Sequence, residues 1–342
     1  MKAVCFHTFG GSEVLEYEEA SMPIIGPHDV LIRLKAASLN HLDLWVRSGE
    51  RERNILLPHI PGSDGAGIVD AIGNDVTDVK AGQRVLISPG LSCGTCPACI
   101  EGHENMCLSY RVLGTRENGT YAEFVALPSI NVVLIPDGIE FSQAAAIPVV
   151  FITAWHMLVT LARLQPKETV LIHGAGSGVG SAAIQIAKMI GAHIITTAGN
   201  AEKLKKGKEL GADDLINYRE QDLVEEVRRI TQKQGVDIVF EHVGGEVFEQ
   251  SIKVLRRGGR LVTCGATTAY SAQIDLRYVY ARHLSLLGSW MGWKKELLEV
   301  LKFFKEGKLH PVIDRVYPLA DAAEAHRRME RREHFGKIVL KI

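Results

Sequence analysis

The chain is short of several things, and each shortage excludes a class of protein. It has no excess of either charge, since 39 lysines and arginines face 40 aspartates and glutamates over 342 residues. No net positive field is available to hold nucleic acid or an anionic membrane nonspecifically, so small molecules are the expected partners. A long apolar run is also missing. The longest stretch, 144–159, is interrupted by Pro148, Thr153 and His156 and is short for a bilayer span, so it reads as core. The first eleven residues have neither the basic segment nor the apolar centre of a secretion signal and read as a strand. Cysteine is scarce outside one cluster: of six, four fall between Cys93 and Cys107. Such clustering argues against a disulfide framework and suits a metal in a reducing compartment, with the cytoplasm as the expected location.

What is present describes a folded chain of two domains. Hydrophobic residues make up 46% and charged residues 23%, a globular balance, and 342 residues are too many for one simple core. Up to about Pro136 the pattern is short alternating runs, such as Val30 to Ala36 and Ala66 to Ile72, punctuated by Gly, Pro and Asp. That spacing predicts a mostly antiparallel β unit. From about Val149 the texture changes to a β run at Thr169–His173, glycines, helical spacing over Ala182–Ile190 and a further β run at Ala192–Thr197. Alternation continues through Leu223–Thr231, Val236–His242, Phe248–Leu255 and Arg260–Cys264, which predicts a doubly wound parallel sheet. A helix over Lys294–Glu306 and a final strand over Lys337–Ile342 follow. Periodicity leaves the partner of that strand open, the first domain being one choice.

Two motifs carry chemistry. His173-Gly174-Ala175-Gly176-Ser177-Gly178-Val179-Gly180 lies between a β run and an apolar helix. Glycines there let the backbone approach a pyrophosphate at a helix N-terminus, with Gly176, Gly178 and Gly180 as the contacts and Ser177 and Val179 between them. At the end of the next strand an Asp or Glu would hold the ribose hydroxyls of NADH. The stretch Thr196-Thr197-Ala198-Gly199-Asn200 has no acid, and Lys203, Lys205 and Lys206 follow. A 2′-phosphate would meet cations there, so NADPH is favoured over NADH; the plain alternative is that the lysines are a solvated helix face. Cys93-x-x-Cys96-x-x-Cys99 with Cys107 supplies four soft ligands, enough to close a tetrahedral and therefore structural zinc site, one per chain. Cys5 and Cys264 sit in apolar runs and read as buried thiols.

These motifs, with Gly62-Ser63-Asp64-Gly65-Ala66-Gly67, the stretch Asp237 to Gly245 and Gly258-Gly259-Arg260-Leu261-Val262, resemble the medium-chain dehydrogenase/reductase superfamily across essentially the whole chain. The resemblance implies an α/β protein. A GroES-like, mostly β catalytic domain would span 1–148 and be completed by 290–342, with a Rossmann NAD(P)-binding domain over 149–289 and an active site in the cleft. A homodimer or homotetramer is implied as well. Members that oxidise alcohols hold a second zinc, but Asn40, Ser63 (with Asp64) and Val149 stand at the matching ligand positions and Leu42 at that of the proton-relaying serine. An amide, a hydroxyl and an isopropyl group do not replace thiolate and imidazole on zinc. His41, Asp43 and His59 are the residues from which an unusual metal site would have to be made.

Ser38-Leu39-Asn40-His41-Leu42-Asp43 with Arg47-Ser48-Gly49, and Ile216-Asn217-Tyr218-Arg219, are similar to the zinc-free branch of quinone oxidoreductases and enoyl reductases. In relatives the matching tyrosine and a lysine at Lys203 touch the 2′-phosphate. Without a Lewis acid the acceptor should be one already activated, a quinone or an alkene conjugated to a carbonyl or thioester. Asn40 is the expected substrate- or cofactor-binding residue, with His41 or Asp43 ordering the site and the proton coming from one of them or from water. Val243, Gly265, Ala266, Thr267, Leu287 and Gly288 are expected near the nicotinamide, from the resemblance and from their places at strand ends. The competing readings are an alcohol dehydrogenase or ketone reductase of a bulky substrate, and a binding protein that keeps the cofactor fold without turnover.

Overall fold

Asp29–Ser38 is the strand anticipated by the Val30 to Ala36 alternation, and it is the hub of the first part of the molecule. Its first half pairs with Phe124–Pro128, its second half with Lys337–Lys341, and its other edge runs along Asp64–Ile72, all antiparallel. The sheet continues through Arg84–Ile87 to Val132–Leu134 on one side and to Ile313–Pro318 on the other, where the pairing with Lys337–Lys341 is parallel. The final strand, unplaced by periodicity, therefore rejoins the first domain, with Val339 opposite Ser38 and Lys341 opposite Ala36. Successive side chains of a strand point to opposite faces, so the hub feeds two cores. Val30, Ile32 and Leu34 pack with Val69, Val85 and Ile87, while Ala37 joins Leu39, Val46, Tyr121, Ile338 and Leu340.

A computed structural model describes residues 1–50 and 54–342, which form two units, 1–152 with 293–342, and 153–292. The second unit is an all-parallel sheet ordered Asp214–Asn217, His193–Ala198, Thr169–Ile172, Val236–Glu241, Leu255–Thr263, Ser285–Gly288. Numbered along the unit that is 3-2-1-4-5-6, the doubly wound order whose switch point lies between Thr169–Ile172 and Val236–Glu241. The strand expected from Arg260 begins instead at Leu255, directly after the helix Gly245–Val254. Gly258, at φ +73°, carries the chain through the register shift between Leu255 and Arg260, a backbone feature invisible to side-chain periodicity. The apolar stretch 144–159 is core, as expected: Ala144 to Ile147, Phe151, Met157 and Leu158 are buried. Among the described residues no helix is long and apolar enough to cross a membrane.

Candidate functional site

In the first unit the positions that bind zinc in alcohol-oxidising relatives surround a buried carboxylate, Asp64. It accepts hydrogen bonds from Asn40 Nδ2 (2.9 Å), Lys337 Nζ (3.0 Å) and the backbone N–H of Val149 (2.9 Å), while Ser38 Oγ, 3.3 Å away, gives its hydrogen to the Ala145 carbonyl (2.7 Å). Lys337 Nζ also donates to Asn40 Oδ1 and to the Leu39 carbonyl, each at 2.6 Å, so all three ammonium hydrogens have acceptors. The Asn40 amide is thus oriented by two charged partners, with its oxygen on the cation and its nitrogen on the anion. Ser63 Oγ is buried and without a hydrogen-bond partner among the described residues. The donor set is one carboxylate, an amide, hydroxyls and an ammonium, which does not fit a catalytic zinc. His41, Asp43 and His59 do not supply one either. The His41 ring lies against Trp45 at 4.7 Å, His59 Nε2 donates to the Gly114 carbonyl at 3.0 Å, and burial holds the His59 pKa below its usual value.

Asp43 opens a second buried chain. Its Oδ2 accepts from the Asn40 backbone N–H (2.8 Å), closing one half of a capping box for the helix His41–Ser48, and from the Tyr121 hydroxyl (3.0 Å). Tyr121 Oη lies 3.1 Å from His326 Nε2, and His326 Nδ1 lies 2.9 Å from Arg47 Nη1. A guanidinium only donates, so Nδ1 is the acceptor and Nε2 keeps the hydrogen. His326 then donates to Tyr121, and the Tyr121 hydroxyl is turned toward Asp43. Arg47 finishes the chain on Glu330. Burial, outweighing the donors and the Lys337 charge, pushes the Asp43 pKa up to about 7; burial and then Arg47 hold His326 well below the usual imidazole range. Gly62 lets Tyr121 reach this position: at φ +106° it would place a Cβ 2.4 Å from the tyrosine ring.

The four cysteines converge. Their Sγ atoms lie within 4.8 Å of one another, with Cys96 and Cys99 at 3.5 Å and Cys93 and Cys99 at 3.9 Å. Sulfurs on one tetrahedral zinc at about 2.3 Å would stand about 3.8 Å apart, so the cluster fits a closed structural site. Ile100, Met106 and Leu108 on this lobe are exposed, leaving it little apolar core of its own. It is held from outside by Trp293, whose ring lies 4.4 Å from that of His103 and whose Nε1 donates to Asn105 Oδ1 at 2.7 Å.

In the second unit the glycine loop leads from Thr169–Ile172 into the helix Gly178–Ile190. Ser177 caps that helix, its Oγ accepting from the Gly180 N–H at 2.9 Å, and its hydroxyl lies 3.3 Å from His242 Nε2. Gly199 follows the next strand. A Cβ there would lie 2.6 Å from Tyr218 Oη and 3.2 Å from Arg219 Nε, so these two side chains close over the backbone of Gly199. Lys203 stands in the first turn of the adjoining helix Ala201–Glu209, and Lys206 is paired with Glu202 at 2.9 Å, which makes Lys206 an ordinary helix-face charge. The residues expected near the nicotinamide gather at the carboxyl ends of three neighbouring strands. Thr267 and Thr268 bond to the His242 and Val243 carbonyls, bringing Gly265, Ala266 and Thr267 to Val243, while Leu287 and Gly288 pair with Val262 and Thr263. Buried Glu241 braces this end, accepting from the N–H groups of Val243 and Gly244 and from Thr263 Oγ1. Tyr121, His326 and Lys337 carry no local signal in the sequence, and Glu241 and Arg219 stand there only as members of the motifs Asp237 to Gly245 and Ile216 to Arg219.

A doubly wound nucleotide-binding unit, in one chain with a mostly antiparallel β unit that bears a four-cysteine lobe, defines a nicotinamide-dependent dehydrogenase or reductase. Residues 26–137 match the alcohol dehydrogenase GroES-like domain and residues 178–306 the zinc-binding dehydrogenase domain. The chain is 32% identical to the quinone oxidoreductase of Homo sapiens over 333 residues, 95% of this chain and 93% of that protein. It is 34% identical to the NAD-dependent alcohol dehydrogenase of Sulfolobus acidocaldarius over 352 residues, the whole of both. A crystal structure of an NAD-dependent alcohol dehydrogenase superposes with a TM-score of 0.97 at 47% identity, covering all of both chains. The protein belongs to the medium-chain dehydrogenase/reductase superfamily and is an NAD(P)-dependent oxidoreductase.

Proposed function

We propose that the protein is an NADPH-dependent reductase of an activated acceptor, a quinone or an alkene conjugated to a carbonyl or thioester, acting without a catalytic metal. The observation that carries this reading is the closure of Asp64, Asn40 and Lys337 on one another at the place where alcohol-oxidising relatives hold zinc. The bound nicotinamide supplies a hydride. The chain supplies orientation. Asn40 has committed its oxygen to Lys337 and one N–H to Asp64, which leaves its other N–H to bind the oxygen of the acceptor as negative charge develops there. Asp43 is a positioning residue, since both donors on its Oδ2 come from protein, and the proton is drawn from water or from His41. In the second unit Gly176, Ser177, Gly178, Val179 and Gly180 would bind the pyrophosphate, and Gly199, Lys203, Tyr218 and Arg219 the 2′-phosphate. The zinc on Cys93, Cys96, Cys99 and Cys107 stabilises the fold. A cytoplasmic homodimer or homotetramer suits the free thiols and the family.

The similarity to alcohol dehydrogenases favours a second reading, reduction of ketones or oxidation of alcohols with NADH. Initial rates over quinones, enones, enoyl thioesters and ketones with each cofactor distinguish the two. The first reading expects NADPH consumption with the activated acceptors and a large loss of turnover in Asn40→Ala. Ketone reduction that depends on a second zinc beyond the one on the cysteine lobe, in the parent and in His7→Ala alike, would overturn it. Asn40→Ala also leaves Lys337 and Asp64 each short of a partner, so a stability loss of about 1–3 kcal/mol is expected beside the kinetic effect. Turnover is therefore compared at a temperature where both proteins are folded.

A further inference from the structure

The first hairpin of the chain carries a donor set that neither the nucleotide unit, the cysteine lobe nor the Asp64 network uses. Strands Lys2–Cys5 and Glu16–Glu19 pair antiparallel with Cys5 opposite Glu16. Side chains two apart on a strand share a face, so Glu16 and Glu18 project together on the side of Cys5 and of His7 just beyond it. The cations of the hairpin serve the opposite face: Lys2 Nζ lies 3.1 Å and the N-terminal ammonium 3.4 Å from Glu19. His7 Nε2 is 3.0 Å from Glu18 Oε1, and one ligand atom from each of His7, Glu16 and Glu18 falls within 4.8 Å of the other two.

The cluster thus holds two carboxylates and a nitrogen ligand, with the hairpin's own cations turned away. A divalent ion at this place would take a lone pair from each of the three. A mixed nitrogen and oxygen set suits zinc, cobalt or nickel over magnesium or calcium, which take oxygen ligands. We propose that His7, Glu16 and Glu18 form a site for a divalent transition-metal ion, separate from the cysteine lobe, that fastens the first hairpin. Water fills the remaining positions.

The test uses the full chain with its cysteine lobe loaded with zinc, dialysed against cobalt(II) alone. One cobalt per chain is expected beyond the retained zinc, with the visible absorption of a nitrogen-ligated ion. His7→Ala and Glu18→Gln should each weaken binding roughly tenfold or more. Zinc in solution should raise the melting temperature of the parent protein and leave that of His7→Ala unchanged, by mass action on the folded state. His7 is exposed, so the metal-free melting temperatures of the two proteins should agree. No cobalt beyond the lobe, or cobalt that His7→Ala binds as tightly as the parent, would overturn the proposal. The readout is stoichiometry, so it stands or falls apart from the choice of acceptor.

Discussion

Asp43 shows at the scale of a single residue how burial and hydrogen bonding compete. Two donors and a nearby ammonium favour its charged form, yet complete burial wins and raises its pKa to about 7. An unfolded aspartate titrates near about 3.9, so the folded state binds the proton more tightly than the unfolded one. The stabilisation this gives is complete below about pH 4 and is lost as pH rises through about 7. Asp43→Asn removes the titration while keeping an oxygen to accept from Asn40 and Tyr121. Urea unfolding from pH 4 to 8 should therefore show the variant gaining on the parent as pH rises, with a slope of at most about 1.4 kcal/mol per pH unit, and a flat difference above pH 8. A difference independent of pH would mean that Asp43 is ionised throughout. Arg219 poses a different question, that of cofactor choice. Its guanidinium lies beside Gly199, and under the NADPH-dependent function proposed above it would meet the 2′-phosphate, where charge-assisted hydrogen bonds contribute about 1.5–3 kcal/mol. Arg219→Ala should raise the KM for NADPH about ten- to a hundredfold and leave that for NADH nearly unchanged. Equal effects on both cofactors would assign Arg219 to the fold.

At the scale of elements, what could be read in advance was what lies close along the chain. The four cysteines span fifteen positions and the glycine loop eight, and in both cases spacing alone carries the geometry. The alternations at 30–36 and 66–72 likewise became paired strands. Nothing comparable announces Lys337 as the partner of Asn40, 297 positions away, or Arg47 as that of His326, 279 away. A lysine near a chain end and a histidine on an amphipathic helix read as surface groups until the strands and helices are assembled around them. The lobe from Cys93 to Cys107 gives the prediction proper to this scale. Its helix, Pro97–Ile100, is one turn long and buries none of its residues, so a zinc held by the four cysteines would supply what a core does elsewhere. Chelation or Cys99→Ser should release one zinc per chain. Hydrogen exchange should then speed up over residues 96–107 and stay unchanged over 169–198, where the parallel sheet depends on no metal. Loss of protection in both regions would show that the lobe supports more of the molecule than its own residues.

The whole molecule is discontinuous in sequence: its first unit needs residues 293–342 as much as residues 1–152. The last strand is the sharpest case. Lys337–Lys341 lies between Ile313–Pro318 and the hub strand Asp29–Ser38, and Ile338, Val339 and Leu340 are fully buried. Deleting 337–342 would remove three core side chains worth about 1.5–3 kcal/mol each. It would also take the Lys337 ammonium from Asp64, and breaking a buried pair by removing one partner costs about 3–5 kcal/mol. Together these approach the whole stability of an ordinary domain, about 5–15 kcal/mol. The truncated protein should therefore fail to form its first unit and lose bound zinc and turnover, although every motif that identifies the family is still present in its sequence. The second unit draws no strand from the deleted segment, so residues 153–292 should keep their exchange protection, and NADPH should still raise the melting temperature of what remains. Lys337→Met in the full chain separates the two contributions. It keeps the strand and the stem of the side chain but strips the charge, so it should cost the buried-pair part alone and leave a folded, less stable enzyme. If the truncated and substituted proteins were destabilised equally, the strand itself would contribute little, and the closure of the sheet by its last residues would have to be explained by the ion pair alone.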